Sequence, residues 1–303
     1  MENARPQPRP LTGVLWMLVT GLNFVMVNVL VKLVGGRLPA PESAFLRFLL
    51  GLVFLIPMIK PLIATQYTRG LIAMFAARGA AHAVGVMLWF YAMAHLPIAE
   101  VTAINYLNPV FVTLGAALIL REKLALRRIL AIIVALIGAM VILRPGMRTI
   151  EPGHIAMLAT ATAFAGSYLL AGRLAGRVSP VVVVAMLSIT VPIALAPFAL
   201  ANWITPQPME LVWLFATAGF ATTGHYTMTR AFAVAPMTVT QPVTFLQLIW
   251  ASLIGASFFG EPIDIWVVLG GGLILGSVVF ITWREAVLNR RVTPGEGEIS
   301  LQG

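Results

Sequence analysis

Ten apolar runs, each close to the twenty or so residues a helix needs to cross a bilayer, fill almost the whole of this chain. They cover 11–34, 40–59, 71–94, 97–120, 125–144, 153–174, 179–201, 209–233, 236–259 and 263–283. In hydrocarbon every backbone N–H and C=O needs a partner inside the protein, so runs of this length must be helices. Only 10% of the residues are charged and the mean hydropathy is +0.93, whereas soluble domains carry roughly 25% charge. Lipid is therefore the solvent for most of the surface, and the expected fold class is an all-α membrane protein. The connections are short and several carry Pro or Gly, which leaves no room for a separate soluble domain. The first run is longer than the apolar core of a secretory signal and has no small-residue cleavage site, so it is expected to stay as a helix. Cysteine is absent, so disulfides and thiolate metal sites drop out.

The net charge of +9 does not point to nucleic acid, because the cations lie between the apolar runs. With the N-terminus inside, the inner segments hold fourteen: Arg5, Arg9, Lys60, Arg69, Arg121, Lys123, Arg127, Arg128, Arg173, Arg177, Arg230, Arg284, Arg290 and Arg291. The outer segments hold four: Lys32, Arg37, Arg144 and Arg148. Arg47 and Arg78 fall within spans. That asymmetry places both termini in the cytoplasm of a cell whose inner membrane holds the protein.

The two halves of the chain resemble each other. A shift of 139 residues sets Gly85 on Gly224, Pro97 on Pro236 and Glu122 on Glu261 without gaps. A shift of 140 sets Gly13 on Gly153, Gly36 on Gly176 and Arg37 on Arg177. Five spans per repeat is an odd number, so the second half enters the membrane upside down. The expected units are a tail at 1–10, repeats at 11–148 and 149–284, and a tail at 285–303, with both tails cytoplasmic. Inverted repeats are how many secondary transporters build two interconvertible faces around one midplane site.

Phe90 to Gly146 carries Leu96-Pro97-Ile98-Ala99, Asn108-Pro109-Val110-Phe111, the Glu122 loop and a closing Leu143-Arg144-Pro145-Gly146. The second half keeps Ala235-Pro236-Met237-Thr238 and Gly260-Glu261-Pro262 but lacks the Asn-Pro pair. In these features the chain resembles the drug/metabolite transporter superfamily in its ten-helix form with two EamA-type repeats. The resemblance implies export of metabolites, with amino acids, including aromatic ones, as the expected substrates.

Polar groups at membrane depth are costly and usually face a cavity or a partner. Arg78, His82, Gly85 and Trp89 form one stripe on the third span, at spacings i, i+4, i+7 and i+11. Such a stripe offers a cation or imidazole to a carboxylate and a ring to an apolar side chain. The alternative is that Arg78 snorkels to the interface and His82 bonds a neighbouring helix. Thr102, Asn105, Tyr106, Pro109 and Thr113 share a face of the fourth span. Gln241, Thr244, Phe245, Leu248 and Ser252 take the matching positions on the ninth, and Asn108/Gln247 and Phe111/Trp250 also correspond. The expected substrate-binding set is Arg78, His82, Trp89, Asn105, Tyr106, Gln241, Thr244, Gln247 and Trp250. Pro109 and Pro242, with Gly85 and Gly224, are expected hinges. Glu100 is a candidate carrier of a coupling proton. Asn23, Asn28, Tyr168, His225 and Tyr226 are secondary candidates, and His95 and His154 are expected at the interface. Glu122 and Glu261 read as carboxylates complementing the N-termini of the helices that follow them.

No H-E-x-x-H, G-x-S-x-G, P-loop or G-x-G-x-x-G occurs, so an enzyme is not expected. Neither a cofactor nor a metal is implied. Rings of like charge, as channels carry, are also missing. The expected partners are lipid and a small-molecule substrate, an amino acid or similar zwitterion. A monomer suffices, since one chain supplies both halves. An importer or multidrug exporter is the alternative within transport.

Overall fold

The computed structural model describes residues 10–120, 125–175, 177–235 and 237–292. Arg5, Arg9, Arg121, Glu122, Lys123 and Pro236 lie outside them, as does the stretch from 293 onward. Helices account for nearly all of the described residues. The first span is α1 (Pro10–Val34). The second is composite: α2 (Ala40–Gly51), a 3₁₀ segment (Leu52–Met58) around Pro57, and α3 (Ile59–Ala64). It runs five residues past the expected end at 59. The third is α4 (Arg69–His95), opened by Thr68, whose hydroxyl accepts from the Leu71 amide at 3.2 Å. The fourth is broken into α5 (Ile98–Asn105) and α6 (Asn108–Leu120). The fifth to eighth are α7 (Leu126–Leu143), α8 (Pro152–Ala175), α9 (Pro180–Ala201) and α10 (Pro208–Val234). The ninth is α11 (Met237–Thr240), a 3₁₀ turn (Gln241–Thr244) and α12 (Phe245–Phe259). The tenth, α13 (Ile265–Val292), continues past the expected end at 283.

Nine of these spans are long and apolar enough, by length and composition, to cross a membrane. The exception, α10, is 27 residues long but carries Thr217, Thr222, Thr223, His225, Thr227, Thr229 and Arg230. Polar groups at membrane depth face a partner or a cavity: Thr217 and Thr227 are buried, Thr227 meeting Thr20 of α1 at 2.9 Å, while Thr222, Thr223, His225, Thr229 and Arg230 keep accessible surface.

The packing has the symmetry of the repeat. The first span lies along the eighth and the third along the sixth, while the fifth meets the tenth, the second the seventh and the fourth the ninth. Exchanging each span with the one five later swaps the first two pairings and maps the other three onto themselves. The bundle is therefore two inverted five-helix repeats interlocked face to face. Small residues let the helices close. A Cβ on Gly138 of α7 would lie 2.6 Å from the Gly270 carbonyl oxygen on α13, and one on Gly270 would meet the Gly138 oxygen at 2.5 Å. Association in lipid depends on such packing, because hydrocarbon gives helices no hydrophobic reason to pair. Gly138→Ala is accordingly expected to destabilise the protein by about 1–3 kcal/mol through overpacking. Gly166→Ala, which meets nothing within 4 Å, is the control. Thermal melts of both variants in one detergent check this, and equal melting would remove the close contact as a source of stability.

Candidate functional site

The two interrupted spans touch at their breaks. Residues 106–107 separate α5 from α6, and the 3₁₀ turn Gln241–Thr244 separates α11 from α12. The Tyr106 hydroxyl donates to the Thr244 carbonyl oxygen at 2.8 Å. Pro109 sits in the first turn of α6 and Pro242 within the 3₁₀ turn. Neither has an amide with which to continue a helix. Asn108 donates from Nδ2 to Asn105 Oδ1 at 2.8 Å, and its own Oδ1 is buried without a partner. Asn108, Pro109, Val112 and Thr113 line a cavity of about 290 Å³ together with Tyr168 and with Val278, Ile281 and Thr282 of α13. Thr102 faces elsewhere: it bonds the Ile98 carbonyl at 2.7 Å and receives Asn28 Nδ2 at 3.1 Å. It therefore ties the fourth span to the first. Gln247 is half-buried on α12, and the Gln241 side chain lies outside the described residues.

A second group of polar side chains gathers at membrane depth. Arg47 and His82 are half-buried, whereas Tyr168 and His225 keep larger accessible surface. A chain of contacts joins them. The Arg47 guanidinium lies 4.3 Å from the Phe48 ring centroid, Phe48 is edge-on to His82 at 6.0 Å, and His82 meets Phe164 at 4.7 Å. Phe164 in turn meets Tyr168 at 6.3 Å, and His225 stands edge-on to Phe24 at 5.3 Å. Arg47 and Arg78 both act electrostatically on both imidazoles. Arg78 is only 6% exposed. Its Nη1 donates to the Val183 carbonyl at 2.6 Å, while its Nε is buried and unpartnered. It is thus neither snorkelling nor fully satisfied. Trp250 lies over Gly21 of α1, where a Cβ would be 3.0 Å from its ring. Trp89 is half-buried and edge-on to Phe90 at 5.4 Å.

Gly85 and Gly224 occupy equivalent crossings of the interlocked repeats. A Cβ on Gly85 would meet the Phe164 ring of α8 at 2.5 Å, and one on Gly224 would meet the Phe24 ring of α1 at 3.2 Å. The Gly85 carbonyl also accepts from Thr160 at 3.2 Å. Each glycine lets a neighbouring helix bring an aromatic ring close to its backbone.

The end of the bundle carrying the connections at 34–40, 95–98, 143–152, 201–208 and 259–265 is laced by ion pairs. All five formed between described residues lie here. Glu100 is 5% exposed and takes both Arg148 nitrogens, at 2.8 and 2.9 Å. It also meets His154 Nε2 at 2.7 Å. The Glu151 amide donates to His154 Nδ1 at 3.0 Å, and Nε2 lies between Glu100 Oε2 at 2.7 Å and Arg148 Nη2 at 2.8 Å. Donating to the Glu100 carboxylate raises the Arg148 guanidinium above its usual pKa, with the carboxylate's charge adding to the effect. Lys32 pairs with Glu261 at 3.0 Å and donates to the Leu96 carbonyl at 2.6 Å. Arg37 pairs with Glu210, and Arg144 with Asp264. Four of these five pairs join a residue of the first half to one of the second.

Two expectations are corrected here. His154 is not interfacial but 2% exposed, because Glu100, Arg148 and the Glu151 amide hold it. Glu261 does more than complement the helix after it: its Oε2 accepts the Ile98 amide at 2.8 Å, capping the fourth span from the other repeat. Arg47, Arg148 and Asp264 were missed as site residues. Arg47 was visible as an embedded cation, whereas the pairs of Arg148 and Asp264 depend on loop placement.

An all-helical bundle of two inverted repeats, with broken helices that touch at their breaks and polar side chains gathered at membrane depth, is the architecture of a small-molecule transporter. Residues 11–144 and 151–283 each match the EamA-like transporter family, and the chain belongs to that family. It is 32% identical to a riboflavin transporter of Vibrio cholerae, over 93% of this chain and 96% of that one. It is 25% identical to an S-adenosylmethionine uptake transporter of Rickettsia prowazekii, over 91% and 94%. It is also 25% identical to a pseudopaline exporter of Pseudomonas aeruginosa, over 89% and 96%. A solved crystal structure superposes with a TM-score of 0.59 at 18% identity, covering 91% of this chain and 99% of that one. These relatives are transporters, not enzymes, and their named cargoes extend well beyond amino acids.

Proposed function

We propose that the protein carries a flat, heteroaromatic metabolite of riboflavin's kind by alternating access, with the space beside Arg47, His82, Tyr168 and His225 as its substrate site. The observation that carries this reading is the make-up of that space. Phe24, Phe48, Phe164 and Tyr168 offer ring faces and edges, and Arg47, Arg78, His82 and His225 offer N–H donors. Offset and edge-on aromatic contacts hold a planar ring system well, and N–H donors suit its carbonyl and ring-nitrogen acceptors. The sequence similarity to a riboflavin transporter supports the same class.

An amino acid, the substrate expected from the sequence, fits less well. Its carboxylate would suit either guanidinium, but the described carboxylates of the spans, Glu42, Glu100, Glu210 and Glu261, bond groups at the ion-paired end. None of them acts electrostatically on His82 or His225, so none stands beside that group to meet an ammonium. The basic-residue asymmetry supports cytoplasmic termini, an orientation with the ion-paired end toward the outside. In this conformation the inter-repeat pairs close that end. Relatives include both an uptake transporter and an exporter, so export is tested rather than assumed.

Counterflow in proteoliposomes loaded with riboflavin, tryptophan or S-adenosylmethionine tests the reading. Saturable riboflavin uptake that accelerates with riboflavin inside is the expected result. Saturable tryptophan flux without riboflavin flux would restore the amino-acid reading, and unsaturable flux would make the protein a channel. Running each gradient in both directions, with and without a pH difference, reads the direction and the coupling.

A further inference from the structure

We propose that Arg47 is the anchor for an anionic oxygen of the substrate, so the site takes aromatic organic anions in preference to their neutral analogues. This rests on the reading above that this space is the substrate site. Arg47 stands on α2 between the buried side chains of Leu46 and Phe48. Among the described residues its guanidinium has no hydrogen-bond or ion-pair partner, and its one named contact is the Phe48 ring at 4.3 Å. Lying over a ring leaves all five N–H donors unused. The ionisable groups that share its surroundings make matters worse. Arg78 is a second cation, with its own Nε buried and unpartnered. His82 and His225 bring no negative charge, and each feels both guanidiniums.

An embedded cation is ordinarily paired, and an unpaired one marks a place where something else supplies the charge. Arg47 keeps accessible surface on this space, so the missing partner can arrive by diffusion. The planar guanidinium fork matches a carboxylate or a phosphate through two parallel N–H···O bonds, whereas an ammonium ligand would be repelled. Phe48, held edge-on to His82 at 6.0 Å, places an aromatic surface beside the charge. The complement of this arrangement is a ring system with an acidic oxygen nearby. A carboxylate and a phosphate ester satisfy it equally, and matched probes separate them.

Two pairs of probes differ only in the anionic group: riboflavin 5′-phosphate against riboflavin, and indole-3-acetate against indole-3-ethanol. The measurement is each compound's half-saturation concentration in proteoliposomes. The wild-type protein is expected to favour the anion of at least one pair by about tenfold, the usual scale for a charge-assisted bidentate contact. Which pair shows the preference tells phosphate from carboxylate. In Arg47→Gln the anion-to-neutral ratio should fall to about one, and Arg47→Lys should keep part of the preference as a point charge. Arg69→Gln, exposed at the start of α4, should keep the wild-type ratio. Neutral probes carried as well as or better than both anions by the wild type would overturn the assignment, whatever the variants do. An unchanged ratio in Arg47→Gln would overturn it too. If Arg47→Gln fails to fold, the wild-type ratio and the Arg47→Lys ratio decide. Transport of neither pair at all would instead sink the functional reading on which this one stands.

Discussion

In Glu100→Gln, the ion-paired end is expected to open about thirtyfold more often than in the wild type. Glu100 takes two Arg148 nitrogens and meets His154 Nε2 at once. An amide keeps the shape but not the charge, and it presents an NH₂ group to donors where an oxygen stood. Removing one partner of a buried ion pair costs about 3–5 kcal/mol. The Arg148 side chain keeps 24% exposure, so solvent recovers part of that cost, and about 2 kcal/mol is the fitting figure. At 1.4 kcal/mol per decade this is roughly a thirtyfold change in the closed-to-open ratio. The absence of native cysteine allows a single reporter, Tyr168→Cys, which lines the cavity beside the break of the fourth span. A membrane-impermeant maleimide added to right-side-out vesicles should label it slowly in the wild-type background and about thirtyfold faster with Glu100→Gln. The same experiment in inverted vesicles checks sidedness. Labelling from the ion-paired end at equal rates in both backgrounds would show that this cluster does not gate.

The architecture was legible because hydropathy and duplication are properties of the chain itself. Lipid forces helices wherever about twenty apolar residues run together, and the 139-residue shift marks the repeat without any knowledge of packing. Breaks inside spans were only half legible. Pro109 and Pro242 announce weak points, but α5 ends at Asn105, ahead of its proline. Pro109 has no amide to bond the carbonyl four residues back, at Asn105, and its ring crowds that carbonyl, so the interruption falls one turn upstream. The composite second span was hidden because Pro57 stands near the end of an otherwise apolar run. Least legible was the layer of ion pairs. Lys32 and Glu261 are 229 positions apart, and Arg37 and Glu210 are 173 apart. Nothing local links them, and charges near span ends read naturally as solvated. The proposed substrate space was legible in part. His82 and Arg78 stood out on a helical stripe, but Arg47 and Phe48 carry no periodic signal, and their meaning appears only when α2 is set beside α4.

Restoring the missing amides in Pro109→Ala with Pro242→Ala is expected to slow turnover by about tenfold while leaving substrate affinity nearly unchanged. A proline inside a helix costs about 3 kcal/mol or more relative to alanine. Its removal therefore favours two continuous helices where the fourth and ninth spans are now interrupted. Those interruptions face each other, and Tyr106 Oη donates across them to the Thr244 carbonyl oxygen at 2.8 Å. A carbonyl can accept from a distant tyrosine in this way because the 3₁₀ turn ending at Thr244 loosens the regular helical ladder. If the carrier changes face by bending both spans at this point, straighter helices raise the barrier between the two faces without altering either one's contacts with substrate. A slower maximal rate at constant half-saturation is the signature of that barrier. Tyr106→Phe supplies the comparison. It deletes the link between the breaks but restores no amide, so it should change turnover less than the double proline variant. Undiminished turnover in the proline pair would mean that the halves rock as rigid bodies and that the breaks shape the site without moving it.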